Sequence, residues 1–185
     1  MNGYSTQNSL VLNNLMDFYK VDNNLPKMLQ IITGESKISL RIVDWFATNY
    51  AKKYYTLYTI QDESGTDRRF KVYIDYKLKL KAYSKKRFDP FCRWERISIP
   101  YKDGKFIETT IGQLNFFKWA LENKIVDYIE SHYMDIENDM NSRNSTSKRK
   151  EIIENSKTRK KREELSISAT KSIKKEKVEI LVQFN

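Results

Sequence analysis

Lysine, arginine and aromatic residues are interleaved through the middle of this chain: Lys77, Lys79, Lys81, Tyr83, Lys85, Lys86 and Arg87 run together, and Arg93, Trp94 and Arg96 follow shortly after. Such cations neutralise phosphates while exposed rings stack on unpaired bases, so the pattern points to a polyanion with flat bases as ligand. A second group of cations, Lys148, Arg149 and Lys150 with Arg159, Lys160, Lys161 and Arg162, has the form of a phosphate-binding arm or a nuclear import signal. Solvation alone gives the competing account, because the surface of a lysine-rich protein carries lysine whether or not it binds anything.

Catalytic chemistry is thinly represented. The five glycines, Gly3, Gly34, Gly65, Gly104 and Gly112, fit neither a dinucleotide-binding nor a P-loop spacing. With Cys92 and His132 as the single cysteine and histidine, neither an internal disulfide nor a Cys/His zinc cluster can be assembled within one chain. His132 falls on the apolar side of a helical pattern beside Tyr128 and Ile129, the position of a core or boundary residue. Cys92 has Arg93 beside it, which would favour a thiolate, yet its phenylalanine neighbours suit a small buried hydrophobe better. The sequence therefore predicts no catalytic residues, no metal site and no cofactor.

Charge is unevenly placed along the 185 residues. Of the formal +10, most lies between residues 142 and 177, which hold 13 Lys and Arg against 5 Asp and Glu. A local basic block suggests nucleic acid or an acidic protein surface as partner. No apolar run approaches the roughly 20 residues that cross a bilayer, and MNGYSTQNSL lacks the pattern of a signal peptide, so the expectation is a cytosolic or nuclear protein with no membrane partner.

The elements that must position these residues read as follows. Phe70 to Tyr83 alternates apolar and polar residues and predicts a long two-faced strand, with Lys77, Lys79 and Lys81 in one row. Tyr54 to Ile60, the turn cluster Asp62–Asp67 and that strand predict a hairpin. Trp94 to Tyr101, Asp103-Gly104 and Phe106 to Thr109 predict another, the whole forming a meander. Helices are expected over residues 8–20, on to Ile32, over 38–53 with Ser36 as N-cap, and over 111–134 after Thr109-Thr110. The back half of the last helix is acidic, through Glu122, Asp127, Glu130, Asp135, Glu137 and Asp139, and could pair with the basic block. The fold class is α+β: a small antiparallel sheet of three to five strands packed on amphipathic helices. Residues 1–141 form the core domain, 142–177 a basic linker or solvated helix, and 178–185 a C-terminal strand returning to the sheet.

Three blocks taken together, ISLRIVDWFATNYAKK at 38–53, KAYSKKRFDPFCRWERI at 81–97 with TTIGQLNFFKWALENKIVDYIE at 109–130, and KTRKKREELSISATKSIKKEKVEILVQF at 157–184, resemble an uncharacterised family of nucleocytoplasmic large DNA viruses, the giant-virus and iridovirus-like group. The resemblance implies a setting, the cytoplasm or nucleus of an infected cell, its viral factory or the virion, and carries over no site residue. The expected function is a non-enzymatic nucleic-acid-binding protein, DNA or RNA, acting through sequence-independent phosphate contacts and aromatic stacking. The alternatives are a virion structural or assembly protein that docks on acidic viral surfaces and, third, an enzyme with an unfamiliar site.

Overall fold

Thr110 opens the helix around which the rest is arranged: its hydroxyl accepts a hydrogen bond from Gln113 N at 3.2 Å, and the helix α7 (Ile111–Glu122) follows, buried over most of its circumference. A helix apolar nearly all round belongs in a core rather than on a surface. The structure, a computed structural model, describes residues 6–21, 23–62, 64–94, 96–154 and 174–176. Ahead of α7 come α1 (Thr6–Lys20), α2 (Asn24–Thr33), α3 (Leu40–Trp45), a π-helical turn (Phe46–Tyr50), α4 (Ala51–Lys53), β1 (Leu57–Gln61), β2 (Asp67–Lys71), α5 (Val72–Tyr83), α6 (Lys85–Phe88), β3 (Arg96–Pro100) and β4 (Phe106–Thr110). After it come α8 (Ile125–Ser131), α9 (Tyr133–Glu154) and β5 (Lys174–Glu176).

The α+β expectation holds, with the strands in two separate antiparallel sheets instead of one meander. β1 pairs with β2, while β3, β4 and β5 form the second sheet in that order. The cause is the segment between the hairpins. Phe70 to Tyr83 is a strand only to Lys71, and from Val72 it is helix α5. Alternation does not by itself exclude a helix, because Val72, Tyr76, Leu80 and Tyr83 also recur at near-helical spacing. Lys, Leu and Ala favour helix, and no β-branched residue occurs after Ile74 in that run. Packing completes the choice: Tyr76 lies 5.8 Å from both Phe88 and Trp119, and Asp75 Oδ1 accepts Trp119 Nε1–H at 2.6 Å.

The helix expected over residues 38–53 is present over 40–53, as two α-helical pieces joined by the π turn. Its N-cap is Ser39, whose side chain accepts from Ile42 N, whereas Ser36 Oγ accepts from Ile38 N just ahead of it. The helix expected over 111–134 breaks at Asn123-Lys124, where Lys124 takes φ 56, and again at His132. Strand β1 and its partner hold the first break: Tyr58 OH donates to Asn123 O at 2.7 Å, and Arg68 donates to Asn123 Oδ1 at 2.8 Å. The first bond satisfies a backbone carbonyl that the helix end would otherwise leave orphaned, and the second fixes the Asn123 side chain.

Helix α9 runs from the acidic half into the basic block, so residues 142–154 extend it. Ile136 and Met140 are buried, and Asp139 is buried with them. Asp139 accepts from Lys53 Nζ at 2.6 Å and Trp45 Nε1 at 3.0 Å, which clamps α9 to α3 and α4. Burial alone would raise the Asp139 carboxyl; these hydrogen bonds outweigh it and hold the pKa below its ordinary value. Of the acids expected to pair with the basic block, Asp139 pairs with Lys53, and the charge of Arg143 at the start of that block helps lower its pKa. A C-terminal segment does reach the sheet, through β5 on β4 with Lys174 opposite Glu108. Residues 178–185, expected as that strand, lie outside the described residues.

Candidate nucleic-acid interface

Helical geometry redistributes the predicted lysine row. Lys77 and Lys81, one turn apart, are exposed together on α5, while Lys79 is turned away by about 200° and half-buried. Tyr83 is half-buried and stacks on Phe88 at 5.9 Å, so it fastens α5 to α6. Lys85 and Lys86 are exposed on α6, and Lys86 Nζ sits 4.8 Å over the Trp94 ring. Arg87 is half-buried, its carbonyl taken by Asn115 Nδ2 at 2.8 Å. Arg93 is exposed, and Arg96 is bound to Glu108 at 3.3 Å. Lys148, Arg149 and Lys150 lie on the backbone of α9, and Arg159, Lys160, Lys161 and Arg162 lie outside the described residues.

Arg69 and Lys71, outside the site residues named from the sequence, are exposed as well. Along the β1–β2 hairpin, Tyr58, Ile60, Arg68 and Phe70 face inward, and Leu57, Thr59, Gln61, Asp67, Arg69 and Lys71 face out. Leu57 is opposite Lys71 and Thr59 opposite Arg69. Val72 N then donates to Thr56 O at 3.3 Å, which ties the start of α5 to the start of β1. Lys52 Nζ sits 5.7 Å over Tyr73 at this junction. Arg69 and Lys71 are exposed on the outer face of the hairpin, and Lys77 and Lys81 on the exposed side of α5, which follows β2 directly. None of the four forms an ion pair with a described carboxylate; Asp67, opposite Gln61, is the acid on the hairpin's outer face.

Apolar groups lie beside the α5 cations. Ile74 and Leu78 are 54% and 60% exposed, and with Tyr73, Lys77, Leu80 and Lys81 they line an open groove along α5. Tyr55 is 86% exposed at the corner between α4 and β1. The sequence signals for these residues were the runs Lys52-Lys53-Tyr54-Tyr55 and Asp67-Arg68-Arg69-Phe70-Lys71, in which cations neighbour rings as they do at 77–87.

The titratable groups elsewhere are structural in their contacts. His132 is half-buried and stacks on Tyr128 at 4.1 Å. Cys92 is a half-buried free thiol whose backbone N donates to Asp89 O. Asp44 on α3 is pushed up to about 7, first by burial and then by the charge of Asp89. Tyr76 is pushed up to about 12, by burial and then by Asp44 and Asp89. Among the described residues, no group of three or more His, Cys, Asp and Glu could hold a metal ion, and no helix is long and apolar enough to cross a membrane.

The uncharacterised mimivirus protein L507, from Acanthamoeba polyphaga mimivirus, is 48% identical over 134 residues, which are 70% of this chain and 51% of that protein. The match thus spans about half the length of this relative. No solved structure matches the chain. Residues 3–183 match the model of a family of unknown function, DUF7197, so the chain belongs to that family, and its viral relative agrees with the large-DNA-virus resemblance of the three sequence blocks.

Proposed function

We propose that this is a non-enzymatic nucleic-acid-binding protein of a large DNA virus, acting in the cytoplasm or nucleus of the infected cell through phosphate contacts that do not read base sequence. One observation carries the reading: Arg69 and Lys71 on β2 and Lys77 and Lys81 on the helix that follows it are all exposed, without ion-pair partners among the described carboxylates. Unpaired surface cations release counterions from a phosphate backbone at little desolvation cost. The sequence supplies further positive charge in Lys148, Arg149, Lys150, Arg159, Lys160, Lys161 and Arg162.

The test is fluorescence anisotropy of the full chain with labelled DNA and RNA at about 50 and about 200 mM salt, where phosphate contacts weaken steeply. Lys71→Glu with Lys77→Glu and Lys81→Glu should weaken binding and lower the salt slope by about 2–3. Binding that the triple variant leaves intact assigns it to the basic segment, and no binding at the lower salt removes the proposal.

The exposed pair Ile74 and Leu78 favours a second reading, a virion structural or assembly role in which α5 packs against an acidic viral protein. An Ile74→Glu, Leu78→Glu variant that loses incorporation into particles while keeping nucleic-acid affinity would support it.

A further inference from the structure

Tyr55 has a backbone conformation made for glycine and a side chain that makes no ring contact or hydrogen bond among the described residues. Its φ of 49 places it in the left-handed region, where it ends α4 as Thr56 N reaches back to Ala51 O at 3.1 Å. A helix stop of this kind normally carries Gly or Asn, since a Cβ there costs roughly 1–2 kcal/mol. The stop explains the backbone and leaves the tyrosine unexplained. At 86% exposure, Tyr55 makes no ring contact and no hydrogen bond among the described residues. Its neighbours differ: Tyr54 packs on Tyr50 at 4.5 Å with Lys53 above it, Tyr58 stacks on Tyr128, and Tyr73 lies under Lys52.

The position of the ring supplies what packing does not. Two residues on, Leu57 faces Lys71 across the hairpin, and Thr56 is bonded to Val72 at the start of α5. Tyr55 therefore precedes by two residues the hairpin position opposite Lys71, one of the exposed cations of β2. A cation next to an exposed ring is the arrangement that takes a backbone phosphate and its base together.

Resting on the proposed function above, we infer that Tyr55 is a base-stacking residue and that the preferred substrate is single-stranded nucleic acid. In a duplex the base faces are already stacked and closed to a side chain, whereas each base of a single strand offers one. The stack is sequence-tolerant, in keeping with a surface that has cations but no set of side chains aimed at base edges.

The experiment compares the full chain with Tyr55→Ala, Tyr55→Gly and Tyr55→Trp on a labelled oligothymidylate and on a duplex of mixed sequence. Tyr55→Ala and Tyr55→Gly should lose roughly tenfold in single-strand affinity with duplex affinity and salt slope unchanged, and Tyr55→Trp should keep single-strand binding. Tyr55→Gly relieves the left-handed strain, so its melting temperature should equal or exceed that of the parent, which separates lost stacking from lost fold. Single-strand binding unaffected by Tyr55→Ala, or single-strand and duplex binding reduced in equal proportion, overturns the stacking role and leaves phosphate binding standing. Failure of the parent chain to bind either nucleic acid overturns both.

Discussion

The two hairpins have strands of the same length and opposite settings. In the β3–β4 hairpin, Arg96 is answered by Glu108 on the facing strand, and β5 lies along β4. The β1–β2 hairpin has no third strand among the described residues, and its outward Arg69 and Lys71 are unanswered by a carboxylate. Its inner face is fixed as firmly as the other's: Phe70 is buried 6.4 Å from Trp119, and Tyr58 and Arg68 grip Asn123. A rigidly held scaffold with uncompensated charge outside can accept a polyanion without first breaking ion pairs. Local strand structure is common to both hairpins, so what separates their outer surfaces is charge pairing.

The comparison breaks most completely if the first hairpin loses its anchor. Phe70→Ala should destabilise the protein by about 3–5 kcal/mol in denaturant unfolding, through lost burial and the cavity left against Trp119. A smaller loss would show that the hairpin is loosely attached. Next comes Asn123→Ala, which leaves Arg68 without its acceptor and should cost about 1–3 kcal/mol.

Asp44 on α3 tests a site outside both hairpins, where its charge acts on Tyr76 of α5 and is acted on by Asp89 after α6. Its folded pKa of about 7 is raised from 3.8, so its contribution is favourable below about pH 4 and is lost as pH rises through 7. Asp44→Asn should therefore raise the melting temperature at pH 8, by on the order of 2 kcal/mol in stability after discounting for partial exposure, and change little at pH 4. Equal gains at both values would remove the burial and the Asp89 charge as the cause. The smallest effect sharpens the contrast directly: Arg96→Ala should alter stability by about 0–1 kcal/mol and leave nucleic-acid affinity nearly unchanged, while Lys71→Ala lowers affinity with no loss of stability. Equal affinity losses would erase the distinction between the two faces.

The parts of the fold that were legible depend on local chemistry. The turn at Asp62–Thr66 is held by Asp62 Oδ1 accepting from Ser64 N and Thr66 N at 2.9 Å, and Asp103-Gly104 makes the second turn at positive φ, so both hairpins could be read from short stretches. Helix α7 announced itself through its cap and its apolar stripe. Segment 70–83 was illegible because period two and period 3.6 share Val72, Tyr76 and Leu80, and Trp119, which settles the matter, lies more than thirty residues further on. The candidate surface was legible in composition, since cations beside rings mark both 52–55 and 69–87. Its membership was not: one change of period removed Lys79 and Tyr83 from the face, and Glu108 neutralised Arg96.

By itself the sequence determined the α+β class, the hairpin turns, the central helix and the abundance of cations beside aromatic rings, because each follows from residues a few positions apart. Tertiary structure alone decided that α5 is a helix, that the strands divide into two sheets, and that Asp139 pairs with Lys53, 86 residues away in sequence. It also decided which cations remain unpaired, since an ion pair is made by side chains meeting in space, often across most of the chain, and a linear pattern does not encode that meeting.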